Sequence, residues 1–163
     1  MTLQEELGLL NAIQRSSHEV VLSIVLSGSM LTKEGDRILR PLGLTDSQFN
    51  VLMLLKYQTE SGSLNQTRLG NMLLVNRSNV TGLIDRMEQA GWVVRESEKR
   101  DRRVKQVRLT KAGRQLLDRA EQVYFERVEE IMSAFNRTEQ RQLVKMLETI
   151  RQRMGVAVRG KGV

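Results

Sequence analysis

The side chains in this sequence best suited to chemistry are cations, and they are crowded. Between Arg95 and Arg114 lie nine Lys or Arg against three Asp or Glu, a local charge of +6, while the whole 163-residue chain carries +7. Guanidinium and ammonium groups at this density suit phosphates, so the implied partner is a polyanion, either nucleic acid or an acidic membrane surface. A basic but merely solvated face is the alternative that charge alone leaves open. Catalysis has far less to work with. The absence of Cys excludes disulfides, thiolate metal sites and cysteine-based redox sensing. The one histidine, His18, has no Gly-rich phosphate loop or spaced metal ligands to act with, so no catalytic residue, metal or cofactor is expected. Six aromatic residues are too few for a platform that stacks single strands.

The length allows one domain with its own core. The N-terminus, MTLQEELGLL, is acidic and has no basic leader, which predicts no secretory signal. Apolar runs such as VLMLL fall far short of the roughly 20 residues that cross a bilayer, so the expectation is a cytoplasmic protein without membrane contact.

Periodicity places the elements that must position the charge. Residues 5 to about 39 read as one long helix with a broad apolar stripe of Leu7, Leu10, Val21, Ile24, Val25, Met30, Leu31, Ile38 and Leu39, ended by Pro41 and Gly43. Thr45 and Gln48 have the spacing of a capping box before FNVLMLLKY, and Ser61-Gly62-Ser63 stops that run. Asn65 and Asn76 are N-cap residues for two short helices, the layout of a helix-turn-helix. In the second, about Arg77 to Ala90, Val80, Leu83, Ile84 and Met87 form one buried stripe. The opposite face carries Ser78, Gly82, Asp85 and Gln89, flanked by Arg77, Asn79, Thr81 and Arg86.

Gly91 caps that helix, and Trp92–Val94 and Val107–Leu109 read as two strands with the charged tip between them. The charge thus sits on a β-hairpin attached to a helix-turn-helix, the plan of a winged helix. From Thr110, a further N-cap, two helices run to about Met154, broken near Asn136-Arg137-Thr138. The last carries Leu143, Met146, Leu147, Ile150 and Met154 on one stripe. The small central module cannot cover this stripe and the first helix's apolar face together, which predicts a dimer built from both chain ends.

The expected fold is mainly α with a small β-hairpin wing: an N-terminal dimerisation helix over 1–42, a winged helix-turn-helix over 44–113, and C-terminal dimerisation helices over 114–163. In such a module the start of the recognition helix meets base edges in the major groove, where Ser78, Asn79 and Thr81 offer short hydrogen-bonding side chains. Arg102 and Arg103 at the wing tip suit a narrow minor groove, and Lys99, Arg100 and Lys105 suit phosphates.

These residues resemble a known family. Leu83-Ile84-Asp85-Arg86-Met87-Glu88, Gly91-Trp92-Val93, Asp101-Arg102-Arg103 and Val107-Arg108-Leu109-Thr110 with Gly113 are similar to the MarR family of transcriptional regulators, as are Leu44, Thr45, Gln48, Phe49, Val51 and Leu52 upstream. The resemblance implies a homodimer with interlocked terminal helices, binding a pseudo-palindromic operator in double-stranded DNA. It assigns base reading to Ser78, Asn79 and Thr81, the wing-tip arginine to Arg103, and its partner to Asp101, a residue commonly paired with an arginine such as Arg86. It assigns phosphate contacts to Gln66, Thr67 and Arg68. Gly82 departs from members that carry Arg there, so no phosphate contact is carried over at that position. Members usually repress transcription and release DNA when a small phenolic or lipophilic effector binds. Arg15, His18 and Tyr57 are the residues named for that pocket. The alternatives are a constitutive or architectural DNA binder without an effector, and a helical adaptor that holds a protein partner.

Overall fold

The computed structural model describes residues 3–8, 15–58, 62–73, 77–97 and 105–155. Helix α1 (Leu3–Leu7) and helix α2 (Ser16–Leu39) lead into a 3-10 turn at Arg40–Leu42 and helix α3 (Asp46–Tyr57). Strand β1 (Ser63–Asn65), helices α4 (Gln66–Met72) and α5 (Arg77–Gln89), and strands β2 (Val93–Ser97) and β3 (Lys105–Leu109) follow, before helices α6 (Lys111–Met132) and α7 (Arg137–Arg153). No helix among these residues is long and apolar enough to cross a membrane.

The expected single N-terminal helix is two helices. Gly8 takes a left-handed φ of 62° and ends α1, and Arg15 is extended before α2, while Leu10 of the expected stripe lies outside the described residues. Pro41 and Gly43 end α2 as predicted, the glycine at a φ of 73°. Thr45 and Gln48 form the reciprocal capping box, with Gln48 N–H donating to Thr45 Oγ1 at 3.2 Å and Thr45 N–H to Gln48 Oε1 at 2.9 Å. Asn136 and Glu139 make a second capping box at α7. The expected cap at Asn76 lies outside the described residues.

The hairpin is part of a three-stranded antiparallel sheet of order β1-β3-β2. β2 starts at Val93 rather than Trp92, and β1 pairs Leu64 with Val107 on the other side of β3. Sequence reading missed β1 because three residues show no alternation and the preceding Ser-Gly-Ser reads as a stop.

The core lies between this sheet and α3, α4, α5 and α6. Phe49, Leu52 and Leu55 meet Leu64, Leu69, Ile84, Met87, Val107 and Leu117, all essentially inaccessible to solvent. Phe49 also packs on Tyr124 with ring centroids 4.6 Å apart. Only the last part of α2 reaches this core, through Leu39. Val21, Val25, Met30 and Leu31 on α2 and Leu143, Val144 and Met146 on α7 remain exposed.

The joint between α5, the sheet and α6 is tight. Gly91, at a φ of 74°, ends α5 while Trp92 N–H reaches back to Met87 O at 3.0 Å and Gly91 N–H to Glu88 O at 2.9 Å, the two bonds of a Schellman motif. Thr110 Oγ1 accepts from Gly113 N–H and donates toward the Gly91 and Trp92 carbonyls. A Cβ on Gly113 would lie 2.0 Å from Trp92 O, so only glycine fits. Gly113→Ala is expected to destabilise the protein by about 2–4 kcal/mol in urea unfolding, because backbone must move to admit the methyl.

Ion pairs tie α6 to its neighbours. Glu34 of α2 accepts from Arg37 Nε at 2.7 Å and from Arg127 Nε of α6 at 2.6 Å. Lys56 of α3 donates to Glu121 at 2.5 Å and Asp118 at 3.0 Å, and the Glu121 carboxylate holds the ammonium above its usual range. Arg37 first and Arg127 second pull the Glu34 carboxyl from 4.5 down to about 2. A depressed folded-state value means stability is present above the unfolded value and lost as pH falls through the folded one. Glu34→Gln is therefore expected to flatten the decline of Tm between about pH 5 and 2, and an unchanged acid limb would overturn this assignment.

Candidate nucleic-acid interface

The face begins at Asn65, whose Oδ1 accepts from the amides of Thr67 at 2.8 Å and Arg68 at 3.2 Å. This cap sets the first turn of α4 and leaves the Thr67 and Arg68 side chains exposed. Gly70 lets α4 approach α5 closely: a Cβ there would stand 3.2 Å from Val80 Cγ2. Val80, Leu83, Ile84 and Met87 are buried, as the stripe predicts. Because a helix cannot bury two opposite faces here, Asn79, Thr81 and Arg86 are exposed. Arg77 and Ser78 lie in the first turn of α5, and their side chains are not among those described.

Lys105 opens β3, exposed, and donates to Ser97 Oγ at 2.8 Å. Arg108 pairs across the strands with Glu96, whose carboxylate holds the guanidinium above its ordinary value. Lys99, Arg100, Asp101, Arg102 and Arg103 lie outside the described residues, as does any pairing of Asp101 with Arg86.

Two residues behave differently from their reading in sequence. Gln66 is not simply presented to solvent: its Nε2 donates to Thr81 Oγ1 at 3.3 Å and its Oε1 accepts from Arg95 Nε at 3.1 Å. Asp85 is not a free polar residue of the open face, since Arg95 Nη1 donates to it at 2.5 Å. Arg95 itself was missed. Its signal lies in strand alternation, which puts position 95 on the same face as the buried Val93 and Val107, opposite acids spaced i, i+3 on the preceding helix.

A cleft of about 550 Å³ opens behind the face. Thr32 and Asp36 of α2, Asp46 and Asn50 of α3, and Asn79 and Arg86 of α5 contribute to its walls. Asp46 N–H donates to Asp36 Oδ1 at 2.7 Å, and burial, followed by the charge of Asp36, raises the Asp46 carboxyl above its usual value. A neighbouring groove of about 420 Å³ is lined by Met53, Leu54, Tyr57 and Met72, and shares Asn50 and Leu73 with the first. Tyr57 thus lines a groove, whereas Arg15 and His18 are exposed at the start of α2 and line neither depression.

A helix with one buried stripe and a polar outer face, braced by a preceding short helix and followed by a small antiparallel sheet, defines a winged helix-turn-helix DNA-binding protein. The MarR family model matches residues 44–105. The transcriptional activatory protein BadR of Rhodopseudomonas palustris is 42% identical over 86 residues, which span 53% of this chain and 49% of that protein, so the match covers about half the relative's length. The transcriptional regulator PecS of Dickeya dadantii is 30% identical over 112 residues, 69% of this chain and 68% of PecS. The structure of CouR from Rhodococcus jostii RHA1 bound to p-coumaroyl-CoA superposes with a TM-score of 0.73 at 26% identity, covering 92% of this chain and 99% of CouR. The chain belongs to the MarR family of transcriptional regulators.

Asn65→Ala removes the acceptor for two amides at the head of α4. The expected cost is about 1 kcal/mol in denaturant unfolding, with Asn65→Asp close to the original protein. An unchanged midpoint for the alanine variant would mean that water replaces the cap without loss.

Proposed function

We propose that the protein is a homodimeric transcriptional repressor that grips a pseudo-palindromic operator with two copies of this face and releases it when a small aromatic or otherwise lipophilic effector binds. The observation that carries the reading is the outward presentation of Asn79, Thr81 and Arg86 by a helix whose other side is locked in the core. In this assignment Arg77, Ser78, Asn79, Thr81 and Arg86 serve base edges and adjacent phosphates in the major groove. Thr67 and Arg68 hold backbone phosphates, with Gln66 contributing from its bridging position. Lys105 and the charged tip from Lys99 to Arg103 follow the neighbouring groove.

The exposed apolar residues of α2 and α7 support a dimer in which residues 1–42 and 114–163 join two reading modules at 44–113. Val21, Val25, Met30 and Leu31 face solvent in one chain, as do Leu143, Val144 and Met146, and association would remove both surfaces from water. Two recognition helices must then stand about one DNA turn apart, roughly 34 Å. The protein acts on cytoplasmic DNA and catalyses no reaction.

The effector is assigned to the cleft between α2, α3 and α5 together with the adjoining groove between α3 and α4, rather than to Arg15 and His18. Met53, Leu54, Tyr57 and Met72 suit an aromatic body, and the polar cleft beyond Asn50 suits its head group. The aromatic acyl thioester bound to CouR supports that chemical class. A ligand seated there touches the recognition helix at Asn79 and Arg86 and shifts the dimer toward a state that fits DNA poorly, by its differential affinity.

Selection from a random duplex library at near-physiological salt is expected to enrich a two-fold symmetric site. With about eight phosphates neutralised, log K should fall with log salt at a slope of roughly −7. Enrichment of no shared motif would replace the repressor with an architectural binder. Aromatic acids and their coenzyme A thioesters that raise Tm are expected to weaken operator binding by about 5–150-fold. Stabilising compounds that leave DNA affinity unchanged would remove the effector from the mechanism.

A further inference from the structure

One side chain joins three elements of the reading module. Arg95 leaves β2 on the inward face of the sheet and is only 19% exposed. Its Nε donates to Gln66 Oε1 of α4 at 3.1 Å, and its Nη2 to the Thr81 carbonyl of α5 at 3.3 Å. Its Nη1 donates to Asp85 Oδ1 at 2.5 Å and to Glu88 Oε2 at 2.9 Å, both on α5. The Arg95 backbone N–H adds a bond to Glu88 Oε1 at 2.8 Å, so Glu88 grips both the main chain and the side chain of the same residue. Gln66 closes the ring by donating to Thr81 Oγ1.

We infer that Arg95 is the positioning residue that fixes the angle between the recognition helix, its supporting helix and the wing, and through that angle sets discrimination between operator and other duplex. The inference rests on the DNA-reading role proposed above. The geometry supports positioning in two ways. A planar guanidinium with a fixed fork of donors constrains direction as well as distance, so satisfying partners on α4 and α5 at once leaves little freedom of rotation between them. The contacts also lie on the inner side of the sheet, while Asn79 and Arg86 project outward, so the group acts through the helix rather than on bases. Arg95 has a second effect: it places a positive charge between two carboxylates of a helix that must approach phosphates. Loss of Arg95 would both loosen the helix and leave Asp85 and Glu88 repelling DNA, and an experiment has to separate these effects.

Four proteins do so: the original chain, Arg95→Lys, Arg95→Ala, and Arg95→Ala combined with Asp85→Asn and Glu88→Gln. Each is titrated with the selected operator and with a scrambled duplex of equal length and salt. Arg95→Ala is expected to weaken binding to both duplexes and to lower the operator-to-scrambled ratio by about 10–100-fold, the loss of readout at one or two base pairs. The triple variant should recover affinity for scrambled duplex without recovering the ratio. Lys restores the charge but not the fork, so Arg95→Lys should hold scrambled duplex nearly as well as the original protein and still discriminate poorly. A triple variant or Arg95→Lys that discriminates like the original chain would overturn the inference and leave only charge neutralisation.

Hydrogen exchange on the DNA-free proteins gives a readout independent of any operator. Arg95→Lys is expected to speed exchange in α5 and β2 while α3 and α6 keep their protection, and unchanged exchange in α5 would overturn the positioning role. If the original protein prefers no duplex, the repressor reading fails, and exchange still decides whether Arg95 clamps the helix.

Discussion

The rest of the structure depends on the rotational phase of α5. Val80, Leu83, Ile84 and Met87 are buried against α3, α4 and the sheet, and burying four such side chains is worth several kcal/mol, far more than any polar contact on the outer face. That burial leaves the helix one orientation about its own axis. Asn79, Thr81 and Arg86 then point outward as a geometric consequence of the core, without a separate device to expose them. Rotation alone does not set the helix's tilt, and this is where polar contacts enter. Gly70 brings α4 against Val80, the Schellman turn at Gly91 fixes where the chain leaves α5, and Arg95 spans the remaining gap to Gln66.

Elements that announce themselves locally were legible in the sequence. Thr45, Asn65 and Thr110 each sit one residue before a helix, and each bonds the amides that its spacing implies, because capping involves residues within three positions of one another. The buried stripe of α5 was equally readable, since a 3.6-residue period is a property of the helix alone. What could not be read depends on residues far apart in the chain. β1 exists because Leu64 finds Val107, forty-three positions on, and three residues carry no period of their own. Arg95 was counted with the phosphate-seeking cations because net charge does not record direction, and only the pairing of β2 with β3 turns it inward. The break after α1 was hidden for a different reason: Gly8 interrupts the helix without interrupting the apolar pattern.

The exposed residues of α2 and α7 were legible as a pattern but not as a destination. Periodicity shows that a helix has an apolar face without showing what covers it. In the folded chain α7 buries none of its described residues, and α2 reaches the core only near its C-terminal end. Such long surfaces cost stability when left in water, which is the physical argument for a second copy in the proposed dimer.

The residues that join these helices to the reading module bear on how a signal could cross between them. The core takes Leu39 from α2 and Leu116, Leu117 and Ala120 from α6, so it extends past both ends of the 44–113 segment. The ion pair of Lys56 with Glu121 between α3 and α6 reinforces the joint, and that of Glu34 with Arg127 ties α2 to α6 beside it. A module held on two sides in this way cannot swing on a loose linker. Under the proposed function, changing the separation of two recognition helices would therefore require the terminal helices to shift with the modules they carry. The 550 Å³ cleft has one wall from the N-terminal helix α2 and two, α3 and α5, from the reading module. A small molecule there would touch the support at Thr32 and Asp36 and the reader at Asn79 and Arg86 at once.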